Sequence, residues 1–163
     1  MGIEIERKFL VKDDGWRKLA TGRSHIRQAY LALGGKATIR VRIKDDAAAM
    51  LTIKSRSAKL RRLELEYPIP VDDAQALIAL RRGAVIEKVR HIVPYAGATW
   101  EVDVFAGENA GLIVAEVELP HEDCRLELPP WIGREVTGRT EYYNSSLVAR
   151  PYANWAAHGA AAT

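Results

Sequence analysis

Residues 3–11, IEIERKFLV, place charged and apolar side chains on alternate positions: Glu4, Glu6 and Lys8 on one parity, Ile3, Ile5 and Phe9 on the other. A period of two is the signature of a strand, in which residues i, i+2 and i+4 share a face. Seven more stretches repeat it: 25–33 (HIRQAYLAL), 37–44 (ATIRVRIK), 50–56 (MLTIKSR), 61–69 (RRLELEYPI), 84–93 (AVIEKVRHIV), 98–105 (ATWEVDVF) and 112–119 (LIVAEVEL). Gly34-Gly35, Asp45-Asp46, the stretch 57–59 and Gly97 supply turns between them. Connections this short predict antiparallel neighbours. Helical pattern is confined to 72–82 (DDAQALIALRR), with shorter candidates at 13–20 and 140–149. The expectation is a mainly β (α+β) fold, one domain over residues 1–150. An Ala-rich tail, 151–163, is expected to be poorly ordered.

Bulk composition narrows the class. The chain has 163 residues, 48% hydrophobic and 28% charged, which suits one globular domain with a real core. Its 24 basic and 21 acidic residues nearly cancel to +3, so a bulk basic surface for nucleic acid is not indicated. Cys124 stands alone and can form neither an intrachain disulfide nor a cysteine zinc site. The N-terminus lacks a signal-peptide apolar run, and no stretch approaches the roughly 18 apolar residues of a membrane helix. Gly2 does not begin a myristoylation motif, because position 6 is Glu. A cytoplasmic location without membrane partners is therefore expected. His25, His91, His121 and His158 show no metal-ligand spacing. The stretch from Gly133 to Thr140 resembles a phosphate loop, but Arg139 stands where that loop needs Lys and no strand is predicted ahead of it.

The charges are sorted strand by strand. Besides Glu4, Glu6 and Lys8, one parity collects Gln28 and Tyr30, then Arg40, Arg42 and Lys44, then Thr52, Lys54 and Arg56. It continues with Arg62, Glu64 and Glu66, with Lys88 and Arg90, with Glu101 and Asp103, and with Glu116 and Glu118. A solvated sheet face normally avoids like charges side by side. Here neighbours about 6.7 Å apart repeat the same sign. Eight strands closed into a barrel would turn this parity inward and the apolar parity outward. Carboxylates bind hard divalent cations, and Arg and Lys bind phosphate oxygens. The guest implied is a linear polyphosphate carrying Mg²⁺ or Mn²⁺.

Several of these stretches also resemble a known family. Glu4, Glu6 and Lys8 have the E-x-E-x-K spacing of the CYTH superfamily, the triphosphate tunnel metalloenzymes. The likeness continues in order through QAYL at Tyr30, IRVRIK, LTIKS, RLELEYPIP, IEKVRH, WEVDVFAGENAGLIVAEVEL and WIGREVTGRTEYYNSSL. It spans roughly residues 2–150 and is strongest to the short bacterial members. An acidic residue is expected after V-T-G, where this chain has Arg139.

The resemblance implies a closed eight-stranded antiparallel tunnel and divalent-metal-dependent hydrolysis of inorganic triphosphate to pyrophosphate and phosphate. Expected metal ligands are Glu4, Glu6 and Glu118, with Glu116, Glu64 and Asp103 as candidates to complete the site or build a second one. Lys8, Arg40, Arg42, Lys54, Arg62, Lys88 and Arg90 are expected to grip phosphate oxygens, Arg56 and Lys44 lying nearer strand ends. Tyr30, its proton loosened by Lys54, is the implied base; a metal-bound hydroxide is an equally physical route. Thiamine triphosphate, a nucleoside triphosphate or cyclisation of ATP are alternative chemistries on this architecture, and a non-catalytic polyphosphate-binding module is the alternative of another class. Aromatic residues are only 7% of the chain, which favours a bare polyphosphate. Oligomeric state is left open, a homodimer included.

Overall fold

The computed structural model describes residues 5–55 and 63–155. Strands β1 (Ile5–Val11), β2 (Gly22–Ala32), β3 (Ala37–Lys44), β4 (Ala48–Ser55), β5 (Glu64–Ile69), β6 (Arg82–Tyr95), β7 (Ala98–Phe105), β8 (Ile113–Leu119) and β9 (Ile132–Glu135) form one antiparallel sheet. Their order is β5-β4-β3-β2-β6-β7-β8-β1-β9. Helix α1 (Val71–Ile78) links β5 to β6, and a four-residue helix, α2 (Asn144–Leu147), lies near the C-terminus. One expectation is corrected: among the described residues the sheet has nine strands rather than eight. Among those residues no hydrogen-bonded pairing joins edge strands β5 and β9.

Local chemistry explains the elements. The two-residue hairpins fall at Asp45-Asp46 and Ala96-Gly97, where all four residues have positive φ, as a primed turn requires. Helix α1 starts after Pro70, carries Asp72 and Asp73 in its first turn, and buries Ala74 and Ile78. It ends at Ile78 rather than at residue 82, because Arg82 already pairs with Tyr30 in the sheet. The expected helices at 13–20 and 140–149 reduce to short 3₁₀ turns, Arg17–Leu19 and Thr140–Tyr142, the latter followed by α2. Strand β9 occupies part of the phosphate-loop look-alike and pairs with β1 across an irregular register, Phe9↔Glu135 and Val11↔Ile132.

Two apolar clusters cover the outer face. Trp16, Trp100 and Trp131 gather over β1, β6, β7 and β8, with Trp100 and Trp131 packed edge to face. Helix α1 covers Ala29, Val41, Ile43 and Ala49. A third cluster lies on the other face of the sheet. Leu10, Tyr30, Ile86, Phe105 and Val114 share the charged parity, and they meet Val136, Tyr142, Leu147 and Val148 from the C-terminal segment.

The same segment docks on β6 through a close approach. The Ala84 N–H donates to the Val148 carbonyl at 2.9 Å. Gly83, with φ +73°, leaves room there that a Cβ would fill by colliding with that carbonyl. Residues 151–155 belong to this packing: Trp155 stacks edge to face on Tyr142 and Tyr152, and its indole N–H donates to the Arg150 carbonyl. Tyr30 on β2 and Leu10 on β1 would be about 19 Å apart in a flat sheet, with three strands between them. Both belong to one connected buried cluster, and on the same face the polar Gln28, Thr52, Lys88 and Asp103 are buried, where a flat open face would leave them in water; the sheet curls with the charged face inside.

Candidate functional site

Cross-strand register places every described residue of the sorted set on this inner face. Glu6 faces Glu118, and Lys8 faces Glu116, which in turn faces Glu101. Asp103 faces Arg90; Gln28 lies between Ile86 and Arg42. Tyr30 faces Arg40, which faces Thr52, which faces Glu66, and Lys54 faces Glu64 one row further on. Glu4 and Arg62, like Arg56, fall outside the described residues.

At the centre are three fully or largely buried ions. Asp103 and Lys88 are each 0% exposed. Asp103 accepts from Lys88 Nζ at 2.7 Å and from Arg90 Nε and Nη2 at 2.8 and 2.9 Å, a bidentate fork plus a third bond. Burial alone would raise the Asp103 carboxyl, but the charge of Lys88 and the hydrogen bonds from Arg90 outweigh it, holding the group well below the usual carboxylate range. Arg90 is likewise opposed by burial, yet Asp103 raises its pKa, and it extends toward Glu101 (3.3 Å) and Glu116 (4.0 Å). For Lys88 burial wins: with Arg90 and Arg42 adding repulsion against the attraction of Asp103, its pKa is pushed down to about 8.

Further charges of both signs border this core. Arg42 is lowered to about 10 by burial and by the nearby charges of Arg40 and Arg90. Lys8 lies 3.5 Å from Glu116, whose pKa burial would raise but Lys8, Lys88 and Arg90 bring down. Lys54 lies 4.0 Å from Glu64. The C-terminal segment reaches the same lysines: Asn144 Oδ1 lies 3.4 Å from Lys88 Nζ, and the Tyr143 ring sits 5.2 Å from Lys8 Nζ. Sequence patterning missed both residues, since nothing in TEYYNSSL marks a segment that folds back into the sheet.

The carboxylates differ in burial. Both Asp103 oxygens are engaged by cations in the interior. Glu6 and Glu118 are exposed and directly opposite. Such a like-charged pair repels unless a cation lies between, so the donors suit a hard divalent ion. Among the described residues no three His, Cys, Asp or Glu side chains group closely enough to hold a metal by themselves. Glu4, the expected third ligand, lies outside the described residues.

The curled antiparallel sheet thus carries buried Arg and Lys at the core of its inner face and paired carboxylates nearer solvent, the donor types that phosphate oxygens and a hard cation call for. A CYTH domain model matches residues 2–152, and the chain belongs to that family. It is 47% identical over 156 residues to an inorganic triphosphatase of Acetivibrio thermocellus, covering 95% of this chain and 99% of the relative. It is 35% identical over 151 residues to an inorganic triphosphatase of Nitrosomonas europaea, covering 88% and 95%. A crystal structure of an inorganic triphosphatase superposes with a TM-score of 0.68 at 34% identity, covering 91% of this chain and 95% of that one. A Pyrococcus furiosus protein, TM-score 0.57 and 19% identical over 74% of this chain and 80% of its own, shares the fold.

Proposed function

We propose that this chain hydrolyses inorganic triphosphate to pyrophosphate and phosphate with a divalent cation, Mg²⁺ or Mn²⁺. The observation that carries the reading is the division of the inner face, with Lys88, Arg90 and Arg42 gathered about the buried Asp103, Arg40 beside Arg42, and Glu6 opposite Glu118 nearer solvent. The names of the two relatives point the same way.

Phosphoanhydride hydrolysis asks mainly for positioning and charge stabilisation. Arg40, Arg42, Lys8, Lys54, Lys88 and Arg90, with Arg62, hold phosphate oxygens and steady the leaving pyrophosphate. Glu6 and Glu118, with Glu4 and Glu116, hold the metal, which supplies neutralisation of the triphosphate's charge when bound. Asp103 and Glu64 are left out of that set. Asp103 serves instead as an internal counter-ion that fixes Lys88 and Arg90, and Glu64 orients Lys54. As the phenolate, its own proton having passed to solvent, Tyr30 takes the proton of the attacking water as the bond to the terminal phosphorus forms and the anhydride bond to the leaving pyrophosphate breaks. Its support is its place on the inner face opposite Arg40 and one row from Lys54.

One feature favours a bare triphosphate over an organic one. The apolar end of the inner face, Leu10, Tyr30, Phe105 and Val114, is filled by Tyr142, Leu147 and Val148 of the chain itself. No bare apolar wall is left there for a thiamine or nucleoside. Phosphate release from tripolyphosphate, thiamine triphosphate and ATP tests this choice: kcat/KM should be highest for tripolyphosphate by at least about tenfold. A preference for either organic substrate would overturn it.

A further inference from the structure

Gln28 stands outside the charged set, yet it is 0% exposed on the inner face. Its Oε1 accepts from Arg42 Nε at 2.8 Å. This orientation is fixed, because turning the amide over would set its NH₂ against another donor. Nε2 is thereby aimed away from Arg42, and it is buried with no hydrogen-bond partner. Its register neighbours offer no acceptor: Ile86 lies on one side and Arg42, a pure donor, on the other. Leaving a buried donor unmet costs the desolvation of that group with nothing to offset it. A second inner-face donor, Arg40 Nε, is buried and unpartnered as well. Two unmet donors on one face, with Arg42 the cross-strand partner of Gln28 and two residues along β3 from Arg40, call for a guest rich in acceptor oxygens.

We propose that Gln28 is a further substrate-binding residue: its Oε1 aims the Arg42 guanidinium and its Nε2 donates to a phosphate oxygen of the triphosphate. This rests on the triphosphatase reading. A neutral donor suits the position, since another cation beside Arg42, Arg40 and Arg90 would add repulsion in the free protein, where burial first and then the charges of Arg40 and Arg90 already lower Arg42 to about 10. An amide gives the anion a hydrogen bond without that penalty.

The test is a double-mutant cycle in steady-state kinetics with tripolyphosphate, using Gln28→Met, Arg42→Ala and the pair. Gln28→Met keeps the length and removes both hydrogen bonds. The expectation is a KM raised about tenfold with kcat within about threefold of the parent, and a further rise of about threefold or more when Gln28→Met is added to Arg42→Ala. If the effect vanishes in the Arg42→Ala background, Gln28 acts only through Arg42 and the direct contact is wrong. Unchanged kinetics in the single variant would overturn both roles. Should Gln28→Met fail to fold, Gln28→Glu keeps the acceptor for Arg42 and removes the donor; its KM should rise by more than tenfold, and a parental KM would refute the contact. Turnover by the unaltered protein reports separately on the triphosphatase reading.

Discussion

Asp103 on β7 and Arg90 on β6 are direct cross-strand partners, joined by two parallel hydrogen bonds of 2.8 and 2.9 Å. Lys88 closes the third side of the same carboxylate at 2.7 Å. One buried anion thus holds two cations at fixed positions.

Asp103→Asn should therefore destabilise the fold by about 3–5 kcal/mol, the scale for leaving buried charges without their partner. Urea unfolding measures it; a loss under about 1 kcal/mol would contradict the burial of these ions. The pH dependence has a definite sign. The Asp103 carboxyl is lowered in the folded chain from an ordinary value of 3.8, so its contribution is present above about that pH and is lost on acidification. In Asp103→Asn that part of the acid loss should be missing.

Lys88 predicts opposite trends for activity and stability on the alkaline side. In the folded protein it loses its proton near pH 8, against an ordinary 10.5. The charged form binds phosphate, so kcat/KM should fall as pH rises through about 8. Over the window from about 8 to 10.5 the unfolded chain holds this proton and the folded chain does not, so this group's effect on stability becomes more favourable as pH rises. A kcat/KM that stays flat to pH 9.5 would contradict the assignment.

Glu118→Gln removes one of two carboxylates that face each other across β8 and β1. Turnover should drop roughly 10²-fold or more, as on losing one charge-stabilising group. Stability without metal should be unchanged or rise by about 0.2–1 kcal/mol, since a like-charged pair is relieved. Thermal melting in chelator checks the second half, and a marked destabilisation there would point to a structural role.

How far the sequence foretold this site can be judged residue by residue. Period-two patterning located β3 at Ala37–Lys44, and every described residue of the sorted charges lies on one face. Strand β9 escaped notice because Ile132–Glu135 is four residues long, at a sheet edge and irregularly paired. The apolar end of the inner face was hidden for a related reason. Leu10, Ile86, Phe105 and Val114 stand on the charged parity, and their covering partners come from a segment with no periodicity of its own. Parity also cannot say which carboxylate meets which cation. Register and side-chain hydrogen bonds do: register sets Asp103 against Arg90 and Glu6 against Glu118, and a hydrogen bond ties Lys88 to Asp103.

Tyr30→Phe separates the two roles open to that side chain. The ring helps wall the apolar cluster at 7% exposure, and Phe preserves that packing. As the proton acceptor, however, the hydroxyl should be worth on the order of 10²–10⁴ in kcat. Single-turnover phosphate release from bound tripolyphosphate gives the number. A loss under about fivefold would leave Tyr30 as a wall only.

The most direct test of metal-dependent triphosphate hydrolysis follows the products themselves by ³¹P NMR, with tripolyphosphate and the unaltered protein. With Mg²⁺ or Mn²⁺, one pyrophosphate and one phosphate should form per triphosphate consumed, and excess chelator should stop the reaction until metal is restored. Equal product formation in chelator, or none with either metal, would contradict it.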